Sequence, residues 1–198
     1  MATVVVPFRG SDPKRRLDGL TDGDRVRLAE AMLADVLDAG TSIARVFVVA
    51  SEPLALPDGA ELVPDPHHGQ GAAVQDGLEA AMSARAPAPY LVVNADLPCV
   101  TPRDLLVLAG AVPAGGLAIV AAADGTTNAL GLSDGALFEP VYGPGSAQRF
   151  GVLAPARLVD APNLVDDVDT FADLTRLESR LGVHTRGVLE DLRREAAA

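Results

Sequence analysis

Chemistry in this chain would start from its aspartates. Asp96 follows the apolar run Tyr90-Leu-Val-Val93 and precedes Pro98. The run is apolar on both faces, as in a strand covered by helices on both sides. A carboxylate at the carboxyl end of such a strand sits where open α/β sheets bind ligands. A second acidic group, Asp166-Asp167-Val168-Asp169, stands before Thr170-Phe-Ala-Asp173-Leu174. Capping a helix needs one such residue. This run has three carboxylates, and crowded carboxylates repel unless a cation lies among them. Acidic side chains with Mg2+ between them are how oxygen ligands handle a nucleoside triphosphate. Attack by an incoming phosphate on an α-phosphorus, with pyrophosphate leaving, needs positioning and charge neutralisation rather than a covalent nucleophile.

Donors for a phosphorylated substrate surround these acids in the sequence. The segment from Pro7 to Leu17 carries Arg9, Lys14, Arg15 and Arg16 beside Gly10 and Ser11. The first strand-to-helix loop of an α/β sheet is a common phosphate site, because backbone N–H groups and cations meet there. Asp65-Pro-His67-His68-Gly69-Gln70-Gly71 is a glycine-rich entry to a helix, where a ligand can approach the backbone closely. Two further polar loops hold Thr127 and Asn128, and Gly143 to Ser146; backbone donors and a helix start make the second an anion seat. Other chemistries find little support. His67 and His68 are adjacent, so they cannot face one ion from a regular element, and no third ligand is spaced for zinc. Cys99, the single cysteine, has no histidine nearby in sequence and is expected to be a small buried residue. There is no Gly-x-x-x-x-Gly-Lys-Ser/Thr phosphate loop and no Ser-His-Asp arrangement.

Several elements must position these groups. Apolar, β-branched runs predict strands near 3–6, 45–50, 61–64, 90–95 and 117–122, with more strand material at 157–159 and 163–165. Helical spacing predicts helices capped by Thr21 or Asp22 and ending at Gly40, from Ala72 to about Ala84, after Thr101, from a Ser146 cap, and from an Asp169 or Thr170 cap to about Leu181. The tail from Gly187 is expected to be a surface helix or frayed. Alternation of strands and helices predicts an α/β three-layer sandwich with a mostly parallel, Rossmann-like sheet, formed by one domain over 1–198. Hydrophobic residues make up 48% and charged residues 22%, the balance of a folded globular chain. The net charge of −11 argues against a nucleic-acid partner, which wants a basic face. No apolar run approaches the roughly 20 residues of a membrane span. Thr3 to Val6 is too short an apolar run, too soon followed by Pro7 and Arg9, for a signal peptide. A lone cysteine fits a cytoplasmic setting.

The motifs Lys14-Arg15-Arg16-Leu17, Asn94-Ala-Asp96-Leu-Pro98, Thr127-Asn-Ala-Leu130, Gly143-Pro-Gly-Ser146 and Asp167-Val-Asp169-Thr170-Phe-Ala-Asp173-Leu174 stand in one order along the chain. Their set resembles the 2-phospho-L-lactate guanylyltransferases and the related phosphoenolpyruvate guanylyltransferases of coenzyme F-420 biosynthesis. The aspartate motifs alone are shared with the wider MobA-like nucleotidyltransferases, of nucleotide-diphospho-sugar transferase fold. The resemblance implies a Mg2+-dependent enzyme that joins GTP to a phosphorylated three-carbon acid. It also implies the downstream transferase of that pathway as a partner. It assigns Asp96 and Asp169, with Asp167 as the alternative, to the metal. It assigns Thr127 or Asn128, Gly143 and Ser146 to the acid substrate. Arg9, Lys14, Gly69 and Gly71 fall to the nucleotide, and Lys14 and Arg16, with Asp96, to catalysis. Where the family has a lysine soon after Pro7 and Gly-Leu-Asn in the third loop, this chain has Phe8-Arg9-Gly10 and Gly71-Ala72-Ala73. The alternatives are another MobA-like transferase, acting on a molybdopterin or a sugar phosphate, and an inactive nucleotide-binding partner protein. The molybdopterin enzymes' Gly-Gly-x-Ser-x-Arg-Met-Gly first loop is absent.

Overall fold

The computed structural model describes residues 2–10, 17, 20–65 and 69–197. Seven strands form one sheet: β1 (Thr3–Pro7), β2 (Arg45–Ala50), β3 (Ala60–Pro64), β4 (Tyr90–Val93), β5 (Leu117–Ala121), β6 (Thr127–Leu132) and β7 (Ala156–Leu158). Seven α-helices accompany them: α1 (Asp22–Thr41), α2 (Gln70–Ser83), α3 (Pro102–Ala111), α4 (Ser146–Phe150), α5 (Pro162–Val165), α6 (Phe171–Leu177) and α7 (Val183–Ala196). The spatial order is β3-β2-β1-β4-β6-β5-β7. All strand pairs are parallel except those of β6, which runs antiparallel to both β4 and β5. The mostly parallel α/β sheet expected from the strand and helix alternation is therefore observed.

Alternating residues of the strands feed two cores, one on each face. Val4, Val6, Val46, Val48, Leu91 and Val93 pack with the buried stripe of α1 and with Leu105, Leu164 and Leu174. Val5, Phe47, Val49 and Val92 pack instead with Val74 and Leu78 of α2 and with Phe150 of α4. Helix α2 lies very close to the sheet at Gly77, where an added Cβ would come within 2.5 Å of Val5 and 2.7 Å of Val49.

Some local expectations give way to the three-dimensional setting. Strand β4 ends at Val93, so Asn94 and Asp96 lie in the turn beyond it. Residues 163–165 form α5, not a strand: Pro162 sets the first helical position and Leu164 is buried. Ser146 does not cap α4; Gly145, in the left-handed region at φ 71°, occupies the cap position and Ser146 is the first helical residue. Thr170 caps α6 in a reciprocal box with Asp173, as Thr101 does with Asp104 in α3. The C-terminal segment is an ordered helix, α7, with Leu189 buried. Its N-terminus is capped from α1: the buried Asp35 carboxylate accepts from the amides of His184 and Thr185, both at 3.0 Å.

Candidate active site

The order β2-β1-β4-β6 places a topological switch point between β1 and β4: one crossover leaves β1 toward β2, and another arrives at β4 from β3. Ligands of open α/β sheets bind in the crevice at such a point, beyond the carboxyl ends of the strands. A cleft of about 300 Å³ occupies it here, with Arg9, Gln70, Asn94 and Asp96 among its polar lining and Phe8, Met32 and Ala73 among its apolar lining.

Asp96 leaves the end of β4 beside the acidic segment before α6. The two are stitched together by Val168, whose side chain is fully buried and whose amide donates to the Asp96 carbonyl at 3.1 Å. Asp167 and Asp169 flank this anchor. Carboxylate oxygens of Asp96, Asp167 and Asp169 lie within 4.8 Å of one another. Oxygens bound at ~2.1 Å to one octahedral Mg2+ stand about 3 Å apart in cis and about 4 Å in trans. A three-oxygen set of this span fits a hard divalent cation after small side-chain rotations.

The neighbouring acids have other employment. Asp166 takes Arg176 at 2.6 Å and Arg180 at 2.5 Å. Burial alone would raise the Asp166 pKa, but the hydrogen bonds from Arg180 and Arg176 outweigh it and hold the carboxyl below the usual range. Asp173 reaches back to the Thr170 amide at 2.9 Å, closing the cap. The acidic run is thus divided, with Asp167 and Asp169 turned toward Asp96 and the others bonded to arginine and backbone.

Asn128 braces this arrangement. The β5–β6 register slips there, with Val120 opposite Ala129 and Ala121 opposite Thr127. A bulge re-aims the side chains beside it. Asn128 Nδ2 donates to the Val165 carbonyl at 2.9 Å and reaches Asp167 Oδ1 at 3.5 Å. Thr127 turns elsewhere: its hydroxyl meets that of Ser146 at 3.0 Å, and both residues are buried. Across the cleft, Gln70 Nε2 donates to Asn94 Oδ1 at 2.9 Å, and Asn94 Nδ2 donates to the Thr127 carbonyl at 3.3 Å.

The segment from Pro140 to Ser146 packs on the first turn of α2, next to Gln70 of the cleft lining. Pro140 packs on Gly71, where an added Cβ would lie 2.6 Å from the proline ring. The Tyr142 ring stands in an aromatic group with Phe138 and Phe150, at centroid distances of 6.1 and 5.2 Å. Burial there pushes the Tyr142 phenol well above its ordinary pKa.

Residues 20–166 match the MobA-like NTP transferase domain. The chain belongs to the MobA-like NTP transferase family. Within it, the chain is 38% identical to a phosphoenolpyruvate guanylyltransferase of Nocardia farcinica, across 96% of this chain and 91% of that protein. It is 36% identical to a 2-phospho-L-lactate guanylyltransferase of Natrialba magadii, across 88% and 82%. It is 32% identical to a 3-phospho-D-glycerate guanylyltransferase of Phenylobacterium zucineum, across 98% and 97%. Among solved structures, one from Desulfovibrio desulfuricans assigned as a nucleotide-diphospho-sugar transferase superposes with a TM-score of 0.73 at 15% identity, covering 96% of this chain and 95% of that one. The resemblance seen in the motifs and the expected fold type are both upheld.

For a MobA-like transferase, the sequence singled out groups that meet in space. Asp96, Asp167 and Asp169 converge, so both candidates from the acidic run stand beside Asp96. Arg9 and Gly69 come together at the cleft rim: a Cβ on Gly69 would lie 3.6 Å from Arg9 Nη2. Gly71 owes its lack of a side chain to Pro140. Asn128 stands with the acids, apart from the Thr127–Ser146 pair with which it was grouped. Lys14 and Arg16 lie outside the described residues, as do His67 and His68. Cys99 is buried, and burial pushes its thiol pKa up, so no thiolate is poised there. Among the described residues, no helix is long and apolar enough to cross a membrane. Gln70 and Asn94 stand inside motifs read from the sequence but were given no role, and Arg149 was not singled out. Their partners lie 5 to 33 residues away, so their hydrogen bonds could not be read from local sequence.

Proposed function

We propose that this nucleotidyltransferase joins GTP to a phosphorylated three-carbon acid, phosphoenolpyruvate or 2-phospho-L-lactate, with release of pyrophosphate. The observation that carries the reading is the convergence of Asp96, Asp167 and Asp169 beside the switch-point cleft. The relatives named above supply the substrate class. The three carboxylates would hold Mg2+, which when bound supplies charge neutralisation for the phosphates. A phosphate oxygen of the acid attacks the α-phosphorus in line, the bond to the β-phosphate oxygen breaks, and pyrophosphate carries the electron pair away. The nucleophile is already an anion, so no general base is needed. The chain's task is to align two anions and offset their repulsion.

Arg9 at the rim, with Lys14 and Arg16 a few residues on in the sequence, would meet the triphosphate. The cleft between Arg9 and Gln70 would receive the nucleoside, and the segment carrying Gly143 the acid. Such a reaction places the protein in coenzyme F-420 biosynthesis, where the next transferase would be the partner that takes up the product; the lone Cys99 suits a cytoplasmic setting. The test is pyrophosphate release from GTP with Mg2+ and each of phosphoenolpyruvate, 2-phospho-L-lactate and 3-phospho-D-glycerate. Release with at least one acid, dependent on that acid, is expected. A folded protein that releases none with any of them would refute the reading.

A further inference from the structure

We infer that Arg149, on α4, is a positioning residue for the acid substrate, holding the segment 141–145 so that its amides face outward as an anion seat. The inference rests on the proposed guanylyltransferase reading. The Arg149 guanidinium gathers three carbonyls of one short segment. Nε and Nη2 donate to Val141 O at 3.0 and 2.8 Å, Nη2 to Tyr142 O at 3.0 Å, and Nη1 to Pro144 O at 2.6 Å. In a trans peptide the N–H points opposite to the C=O, and Ala88-Pro89 is the sole cis bond among the described residues. Convergence of these carbonyls on one cation therefore turns the N–H groups of Tyr142, Gly143 and Gly145 away from it. Among the described residues, none of these three amides has a hydrogen-bond acceptor.

Two glycines make the conformation accessible. Gly143 and Gly145 have φ of 104° and 71°, the left-handed region where successive amides form anion-binding concavities. The segment is also fixed in place. Pro140 at one end packs on Gly71 at the head of α2, and Ser146 at the other pairs with Thr127. Thr127 in turn accepts, through its carbonyl, from Asn94 in the cleft lining. The segment is thus tied through Gly71 and Thr127 to the elements that line the cleft, with the guanidinium on the side opposite its amides. Arg149 acts through backbone geometry.

Titration calorimetry with Mg2+ and each of the three acids, on wild type, Arg149→Lys and Arg149→Ala, tests this without turnover. Wild type is expected to bind at least one acid. Arg149→Ala is expected to weaken that binding tenfold or more, with Arg149→Lys between, while GTP affinity stays within twofold. Amide resonances of Gly143 and Gly145 should shift on adding acid to wild type and stay still in Arg149→Ala. Unchanged acid affinity in a folded Arg149→Ala, equal losses for acid and GTP, or no acid binding by wild type would overturn the inference. Pyrophosphate release by the same wild-type sample reports separately on the proposed reaction.

Discussion

At the scale of single residues, Val168 decides more than its chemistry suggests. Its buried side chain and its amide bond to Asp96 hold Asp167 and Asp169 on either side of a fixed point. The acids then meet because two backbone segments are tied. Asp96→Asn should leave the fold intact, since Asp96 is half-buried and its carbonyl, not its carboxylate, makes that tie. Activity should fall by at least the ~10–100-fold that outer partners of metal ligands cost. Matched unfolding curves and pyrophosphate-release rates check this; an unfolded variant with normal activity per folded molecule would make Asp96 structural. Asp96 was legible in sequence because a carboxylate ending an apolar run, just before proline, has few purely structural uses. The acidic run was legible by excess, having more carboxylates than a cap needs. The resemblance named Asp169 or Asp167, but the residues alone did not set Asp166 apart, because Arg176 and Arg180 are 10 and 14 residues from it and their pairing depends on how α6 turns.

At the scale of elements, the parallel strands were readable because strands buried on both faces are apolar throughout. Strand β6 was not. Thr127-Asn128 look like a polar loop, and Gly131 interrupts the run; glycine is there because an added Cβ would sit 2.6 Å from Val112. Its antiparallel direction is what brings the start of β6 to the same edge where β1 and β4 end. The placement of α2 is equally constrained. Gly77→Ala should destabilise by about 1–3 kcal/mol, the cost of overpacking, because the new methyl meets Val5 and Val49 on neighbouring strands. Chemical denaturation measures it. No change in midpoint would mean that α2 rides farther from the sheet than the geometry indicates.

At the scale of the whole molecule, the fold joins two separately packed faces, and its last helix is fastened to the first. Asp35 caps α7, and Arg193 on α7 forms a two-pronged bridge with Glu178 after α6, with contacts of 2.5 and 2.9 Å. The Arg193 hydrogen bond holds the Glu178 carboxyl below its ordinary value of 4.5. A depressed carboxylate stabilises above the unfolded pKa and loses that contribution as pH falls through the folded one. The urea midpoints of wild type and Glu178→Gln should therefore differ at pH 7 and draw together as pH falls below the ordinary carboxylate range, with a small gap because the pair is exposed. A gap that does not narrow with falling pH would assign the difference to packing.

The turn between β5 and β6 carries one more consequence, for the diversification of this scaffold. Residues 122–126 close it with hydrogen bonds among themselves and one from the Ala147 amide to the Gly125 carbonyl, and a Cβ on Gly125 would meet nothing within 4 Å. Because β5 arrives at, and β6 leaves from, the edge where β1 and β4 end, this turn lies at that edge of the sheet. Extra residues inserted at Asp124-Gly125 would lengthen an overhang without altering the register of any strand. Such a graft could cover the cleft, or narrow its choice of acid, while the acids beneath stay in place.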